Sequence, residues 1–107
     1  MKIIKCLAEK IDEELHDADE YIGLAMAWKD EEPGTADLFY QLSLEEMGHV
    51  DKLHENVAGL ISEYKKETGE PPQAMLTLYN YLHEKHIGEA MRIKVKQGIY
   101  NSETSDE

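Results

Sequence analysis

The sequence predicts an all-α protein: a long antiparallel helical hairpin followed by a third helix. Ala, Leu, Glu, Lys and Met, which favour helices, dominate the chain, whereas alternating runs of β-branched residues are missing. Two turn signals, EEPG at 31–34 and TGEPP at 68–72, divide the chain into three long segments. The predicted helices span about residues 3–30, 35–67 and 73–98.

Local signals support the boundaries in turn. Thr35 and Asp37 suit the start of the second helix, and Gly69 suits its end, with two prolines just beyond. After the third helix, residues 101–107 are predicted to form a polar tail outside a helical domain at 1–100. The helices would be about 40–50 Å long, too long for three of them to bury one another as a globule. We therefore expect the hairpin to complete a four-helix bundle by dimerisation.

Composition and charge exclude several classes of protein. The length of 107 residues suits one domain, and 11 basic against 23 acidic residues give a net charge of −12. This charge argues against a nucleic-acid surface and an anionic membrane surface, and it makes cations plausible partners. The single cysteine, Cys6, excludes an internal disulfide. Neither a signal peptide nor a membrane-spanning apolar run is evident, so a cytoplasmic location is expected.

A glutamate interrupts the apolar stripe of the first helix. With 100° of rotation per residue, six side chains lie within about 40° of one line on the helix surface. They are Ile3, Leu7, Ala18, Tyr21, Ala25 and Trp28. Glu14 lies on the same line, in the middle of the stripe, where leucine would cost least.

The second helix shows the same anomaly. Its stripe consists of Leu42, Val50, Leu53, Val57 and Leu60. Glu46 lies on the centre line of this stripe, and His49 follows one turn later on its shoulder. Because a short turn joins the two helices, we expect Glu14 and Glu46 to meet at similar depth if the helices are staggered by about a turn.

A buried carboxylate without a partner costs several kcal/mol, so something must offset that cost. Protonation, a basic partner or a metal ion would each do so, and the basic residues do not obviously fall on these stripes. A metal ion is the economical answer, since carboxylate oxygens with an imidazole suit iron, manganese or zinc. A lone E-x-x-H motif often lies on a solvated face, so the conjunction with Glu14 is what favours metal binding.

Other polar residues are weaker candidates. Tyr21 lies two turns after Glu14, where its hydroxyl could hydrogen-bond a ligating carboxylate, and a plain core tyrosine is the alternative. In the third helix His86 lies on the apolar stripe, either as a hydrogen-bonded core histidine or as an extra metal ligand. We expect His54 at the boundary of the core and His16 in solvent.

The stretch 7–60 resembles a rubrerythrin-type helix pair of the ferritin-like di-iron carboxylate superfamily. The resemblance depends on Glu14, on Tyr21 seven residues later, and on Glu46-x-x-His49 in the next helix. Di-iron proteins of this class use two single glutamates and two Glu-x-x-His motifs. This chain has one such motif with a core-facing register, and it lacks a rubredoxin-type cysteine set.

This half-set looks like the encapsulated-ferritin type, in which two chains complete one di-iron site about a two-fold axis. The resemblance implies oxidation of Fe(II) by oxygen or hydrogen peroxide, with two irons per dimer-level site in a homodimer or higher homo-oligomer. It implies that Glu14, Glu46 and His49 bind the irons and take part in their oxidation. Tyr21 is a further catalytic candidate. Residues 101–107 lack the character of a peptide that targets a protein compartment.

Two other functions stay open on the sequence alone. One is a structural or adaptor helical bundle without metal, whose polar stripe residues are simply hydrogen-bonded. The other is a di-metal enzyme with peroxidase or catalase-like activity, in which manganese or zinc could replace iron. Elemental analysis and peroxide consumption would separate these functions.

Overall fold

The computed structural model describes residues 2–104, and within this range the chain forms three α-helices joined by short turns. They are α1 (Lys2–Trp28), α2 (Pro33–Thr68) and α3 (Gln73–Thr104). The molecule measures 55 × 20 × 17 Å, as expected for long helices that lie side by side. The all-α prediction is confirmed for these residues, and the dimeric four-helix bundle stays a prediction.

The ends of α2 follow from its terminal residues. The helix begins at Pro33, before the predicted start, because the first helical position requires no hydrogen bond from the proline nitrogen. It ends at Thr68, where Gly69 adopts a φ of 85° and its N–H donates to the Lys65 carbonyl at 3.1 Å. Glycine reaches this positive φ without the steric cost that a side chain imposes.

The third helix is longer than predicted. It continues to Thr104, so the predicted end near 98 is wrong, and the tail predicted at 101–107 is helical over its first four residues. The remainder of that tail lies outside the described residues. Tyr100 is 1% exposed and packs on Tyr40 with ring centroids 4.9 Å apart. This contact with α2 stabilises the last turns of α3, which a polar local sequence did not predict.

The core lies mainly between α1 and α2, and α3 packs more on α1 than on α2. One cluster of buried side chains consists of Ile4, Ile11, Leu15, Ala18, Met47, Val50, Val57 and Ile93. A second cluster, closer to the α1–α2 turn, consists of Ile22, Ala25, Ala36 and Tyr100. Each large apolar side chain buried here contributes about 1.5–3 kcal/mol.

The buried face of α1 is rotated from the predicted stripe. Ile4 and Leu15 are buried, whereas Ile3 is 49% and Trp28 is 43% exposed. Because α1 contacts α2 on one side and α3 on another, its buried face lies between the directions of its two partners. Glu14 is therefore partly buried at the edge of the core, and its predicted place in the middle of the stripe is wrong.

A buried polar contact links the three helices. In α2 the buried positions are Ala36, Ser43, Met47, Val50 and Val57. The Ser43 hydroxyl donates to the Ala18 carbonyl at 2.7 Å and accepts from Gln97 Nε2 at 2.9 Å. These two bonds fix the register of the helices close to Glu46, which is partly buried at the edge of the α2 face rather than on its centre line.

The outer surface of α3 has a row of exposed apolar side chains. The row consists of Ile87, Met91, Val95 and Ile99, which are 42–63% exposed. Their spacing of four residues places them on one face of the helix.

Within residues 2–104, no helix combines the length and the apolar character that crossing a membrane requires.

Candidate metal centre

The three residues predicted as ligands from α1 and α2 come together. Glu14 belongs to α1, and Glu46 and His49 belong to adjacent turns of α2. The distance from His49 Nδ1 is 3.5 Å to Glu14 Oε2 and 3.8 Å to Glu46 Oε2. One ligand atom from each residue lies within 4.8 Å of the other two, which is compatible with one shared metal ion.

Burial differs among the three side chains. The side chain of Glu46 is 19% exposed, that of Glu14 is 27% exposed, and that of His49 is 53% exposed. Glu46 Oε2 is fully buried, and among the described residues no group donates a hydrogen bond to it. Leaving a buried acceptor unsatisfied costs about 1–3 kcal/mol, and more when the group is charged. A divalent cation held between the two carboxylates would remove this cost and their mutual repulsion.

The cluster lies on the side of the hairpin that faces away from α3. Asp12 and Glu14 are two residues apart, so they point about 160° away from each other around α1. Asp12 contacts His86 of α3 at 2.7 Å, whereas Glu14 faces His49 of α2. The candidate centre is therefore on a surface that α3 does not cover.

Tyr21 and His86 do not join this cluster. The Tyr21 ring packs on Phe39 with centroids 6.2 Å apart, and its hydroxyl forms no hydrogen bond with a described residue. His86 is 3% exposed, and its Nε2 lies 2.7 Å from Asp12 Oδ1. His86 is therefore the hydrogen-bonded core histidine that was one of its two predicted roles. Within one chain it lies on the α3 side of α1, away from Glu14.

A second group of imidazoles was missed by the sequence analysis. The ring of His54 in α2 lies 5.3 Å from that of His83 and 5.9 Å from that of His86, both in α3, measured between centroids. The H-x-x-H spacing at 83 and 86 was the available signal. His16, in contrast, is exposed as predicted, 3.6 Å from Glu20.

Comparisons of the chain with protein-family models, with curated proteins and with solved structures found no match. The resemblance to ferritin-like helix pairs therefore stays a prediction based on Glu14, Tyr21 and the Glu46-x-x-His49 motif. The geometry of the cluster supports metal binding independently of that resemblance, because it depends on the distances among three side chains.

Proposed function

We propose that this chain binds iron at Glu14, Glu46 and His49 and oxidises Fe(II) at a dinuclear site formed between two copies. The observation that supports the proposal is the convergence of two carboxylates and one imidazole within 4.8 Å, with one buried carboxylate oxygen that forms no hydrogen bond with a described residue. Oxygen donors with an imidazole suit iron, and manganese or zinc are the alternatives to be tested.

The proposed dimer follows from the number of ligands and from their location. Each chain supplies two carboxylates and one imidazole, half of the set that a ferritin-like di-iron site uses. A two-fold axis brings the same patch of two chains together, so two half-sites become one full site. The cluster is on the surface that α3 leaves uncovered, and His49 is 53% exposed, so another chain can approach it.

Charge favours the accumulation of Fe²⁺ at this surface. The helices α1 and α2 each contain seven acidic and three basic side chains, whereas α3 contains three acidic and four basic ones. The negative potential of the hairpin raises the local concentration of cations, and this effect weakens as the ionic strength rises. We expect iron binding to weaken with salt accordingly.

The proposed roles of the residues follow from their chemistry. Glu14 and Glu46 bind the metal substrate as carboxylates, and their negative charge favours the more highly charged Fe(III) product. His49 supplies a nitrogen ligand as the neutral imidazole. Each of two Fe(II) ions loses one electron, and dioxygen or hydrogen peroxide accepts the pair.

The apolar row on α3 at Ile87–Ile99 is a candidate surface for a higher homo-oligomer.

An anaerobic Fe(II) titration of two matched variants tests the proposal. The wild-type chain should bind one iron per chain, hence two per dimer, and should form Fe(III) when dioxygen or peroxide is added. Glu46→Ala should lose this binding, and Glu45→Ala, which removes the same charge from the exposed neighbouring position, should retain it. Equal iron uptake by the two variants would contradict the proposed site.

The same preparations distinguish the other functions. Manganese or zinc in the purified protein, together with peroxide consumption, would indicate a di-metal enzyme of another kind. Stability that does not respond to chelators, with no metal in the protein, would indicate a structural or adaptor bundle. Iron that binds without being oxidised would agree with the proposed binding site and contradict the proposed oxidation of Fe(II).

A further inference from the structure

Three of the five histidines of the chain gather on the opposite side of α1 from the carboxylate cluster. His54 comes from α2, and His83 and His86 come from adjacent turns of α3. The ring centroids of His54 and its two neighbours are 5.3 and 5.9 Å apart. Imidazoles that share one tetrahedral zinc ion have centroids about 5 Å apart, because each Zn–N bond is about 2.0–2.1 Å long.

His83 has a buried nitrogen that forms no hydrogen bond with residues 2–104. Its Nδ1 is shielded from solvent, and no described residue forms a hydrogen bond with it. The ring is held in place by Tyr79, which stacks on it with centroids 5.6 Å apart and planes 15° apart. A buried polar atom without a partner destabilises the fold, and such an atom requires an explanation. A metal ion is a partner that an imidazole nitrogen can bind.

His86 is oriented in the way that metal-binding histidines usually are. Its Nε2 lies 2.7 Å from Asp12 Oδ1, so the carboxylate accepts the Nε2 proton. The Nδ1 atom of this tautomer has the free lone pair. A carboxylate that fixes the tautomer of an imidazole and raises its basicity is a common second partner of metal ligands.

The surroundings of the trio favour neutral imidazoles and leave room for an ion. Burial, with His83 and His86 nearby, lowers the pKa of His54 and keeps it in the neutral form that binds metals. A cavity of about 450 Å³ is lined by these three histidines and by Asp51 and Glu55. The carboxylates can supply a fourth, oxygen ligand.

We propose that His54, His83 and His86 form a second metal site, for an ion that prefers imidazole ligands such as Zn²⁺. Among residues 2–104, the Glu14 cluster is the set whose ligand atoms lie within 4.8 Å of one another, so the imidazoles must turn about their side-chain torsions to bind one ion. The cavity beside them provides the space for this rotation. Asp12 acts through His86 as a positioning residue. The ion would cross-link α2 and α3, the pair of helices with the least mutual contact.

A Zn²⁺ titration of chains that lack the carboxylate cluster tests this site. In a Glu46→Ala background we expect one Zn²⁺ per chain and a rise in melting temperature. Adding His54→Gln should abolish both effects, and adding His16→Gln, at an exposed position, should preserve them. Asp12→Asn should weaken Zn²⁺ binding about 10–100-fold, as loss of an orienting carboxylate does elsewhere. Circular dichroism reports whether each variant is folded.

A second measurement uses the unaltered chain. Addition of Zn²⁺ should shift the ring resonances of His83 in NMR spectra while those of His16 stay in place. A Glu46→Ala chain that takes up no Zn²⁺, or His54→Gln and His16→Gln variants that take up equal amounts, would overturn the proposal. These results are independent of iron oxidation, which is measured at Glu46 and His49, so either proposal can fail alone.

Discussion

The two sides of α1 differ in how their polar groups are satisfied. Toward α3, Asp12 pairs with His86 at 2.7 Å and Asp19 pairs with Lys96 at 2.8 Å, so these carboxylates have partners within the chain. Toward α2, Glu14 converges with Glu46 and His49, and a buried oxygen of Glu46 has no hydrogen-bond partner among the described residues. Polar groups with internal partners stabilise the fold, whereas convergent groups without partners require another explanation, for which we propose a metal ion.

The same contrast separates the histidines of α3. His86 has Asp12 as its partner, and the buried Nδ1 of His83 forms no hydrogen bond within the part of the chain that the structure describes. His83 and His86 lie one turn apart on the same helix, so a general property of that helix does not explain why only His86 has a partner among the described residues. Substitutions on the satisfied side should destabilise the chain, and those on the unsatisfied side should relieve a cost until a metal is added.

The largest expected effect concerns Tyr100 of α3, a polar residue whose partner, Asp37 of α2, lies within the chain. The pKa of Tyr100 is raised to about 12, mainly because the phenol is buried and also because it donates a hydrogen bond to Asp37 at 2.6 Å. Because the folded-state pKa is raised above the ordinary value of 10, the stabilisation is fully present below pH 10 and is lost as the pH rises through 12. The free energy of unfolding should fall by about 2–3 kcal/mol over that range.

Urea unfolding at several alkaline pH values measures this loss. Tyr100→Phe should show a smaller decline, because it has no phenol to ionise. Tyr81→Phe, at a position that is 65% exposed, should decline like the wild type. Equal slopes for Tyr100→Phe and the wild type would mean that ionisation of this phenol does not contribute.

Ser43→Ala should produce the next largest effect. The Ser43 hydroxyl is fully buried between the Ala18 carbonyl and Gln97 Nε2, so alanine removes the acceptor of the Gln97 amide and the second hydrogen bond of the Ala18 carbonyl. We expect a loss of about 1–3 kcal/mol in the free energy of unfolding. The double variant Ser43→Ala with Gln97→Leu should recover part of this loss. No recovery would indicate that packing at this position matters more than the hydrogen bonds.

Helical periodicity explains why the convergence of Glu14, Glu46 and His49 could be predicted from the sequence. Glu46 and His49 share a face of any α-helix because they are three residues apart, and the short turn at 29–32 places Glu14 opposite them. The direction of each core face was predicted less well. It depends on two neighbouring helices at once, and for this reason Ile3 and Trp28 are exposed although both belong to the predicted stripe.

The histidine group could not be predicted in the same way. His54 and His83 are far apart in sequence, and they meet because α3 folds back along α1 and α2 after a turn at 69–72. Periodicity fixes positions within a helix and says nothing about the rotation of α3 against its partners. The end of α3 was missed for a similar reason, since Tyr100 is buried by Tyr40, which belongs to another helix.

Glu46→Leu tests the unsatisfied side directly. Without metal, the substitution replaces a buried oxygen that has no hydrogen-bond partner among residues 2–104 with an apolar group, and it removes the repulsion from Glu14. We expect the free energy of unfolding to rise by about 1–2 kcal/mol in the presence of a chelator. Glu45→Leu, at the exposed neighbouring position, should change it by about 0.5 kcal/mol or less. A destabilised Glu46→Leu chain would contradict the contrast between the two sides of α1.

Lys96→Ala should have the smallest effect, although its bond to Asp19 is only 2.8 Å long. The two side chains are 44% and 51% exposed, so water and salt screen the pair. A surface ion pair contributes about 0.2–1 kcal/mol, and a double-mutant cycle of Lys96→Ala with Asp19→Ala measures the coupling. The coupling should decrease with added salt. A larger, salt-independent value would mean that this pair holds α3 on α1 in addition to the buried contacts between the two helices. The contact between α1 and α3 would then be stronger than burial alone predicts.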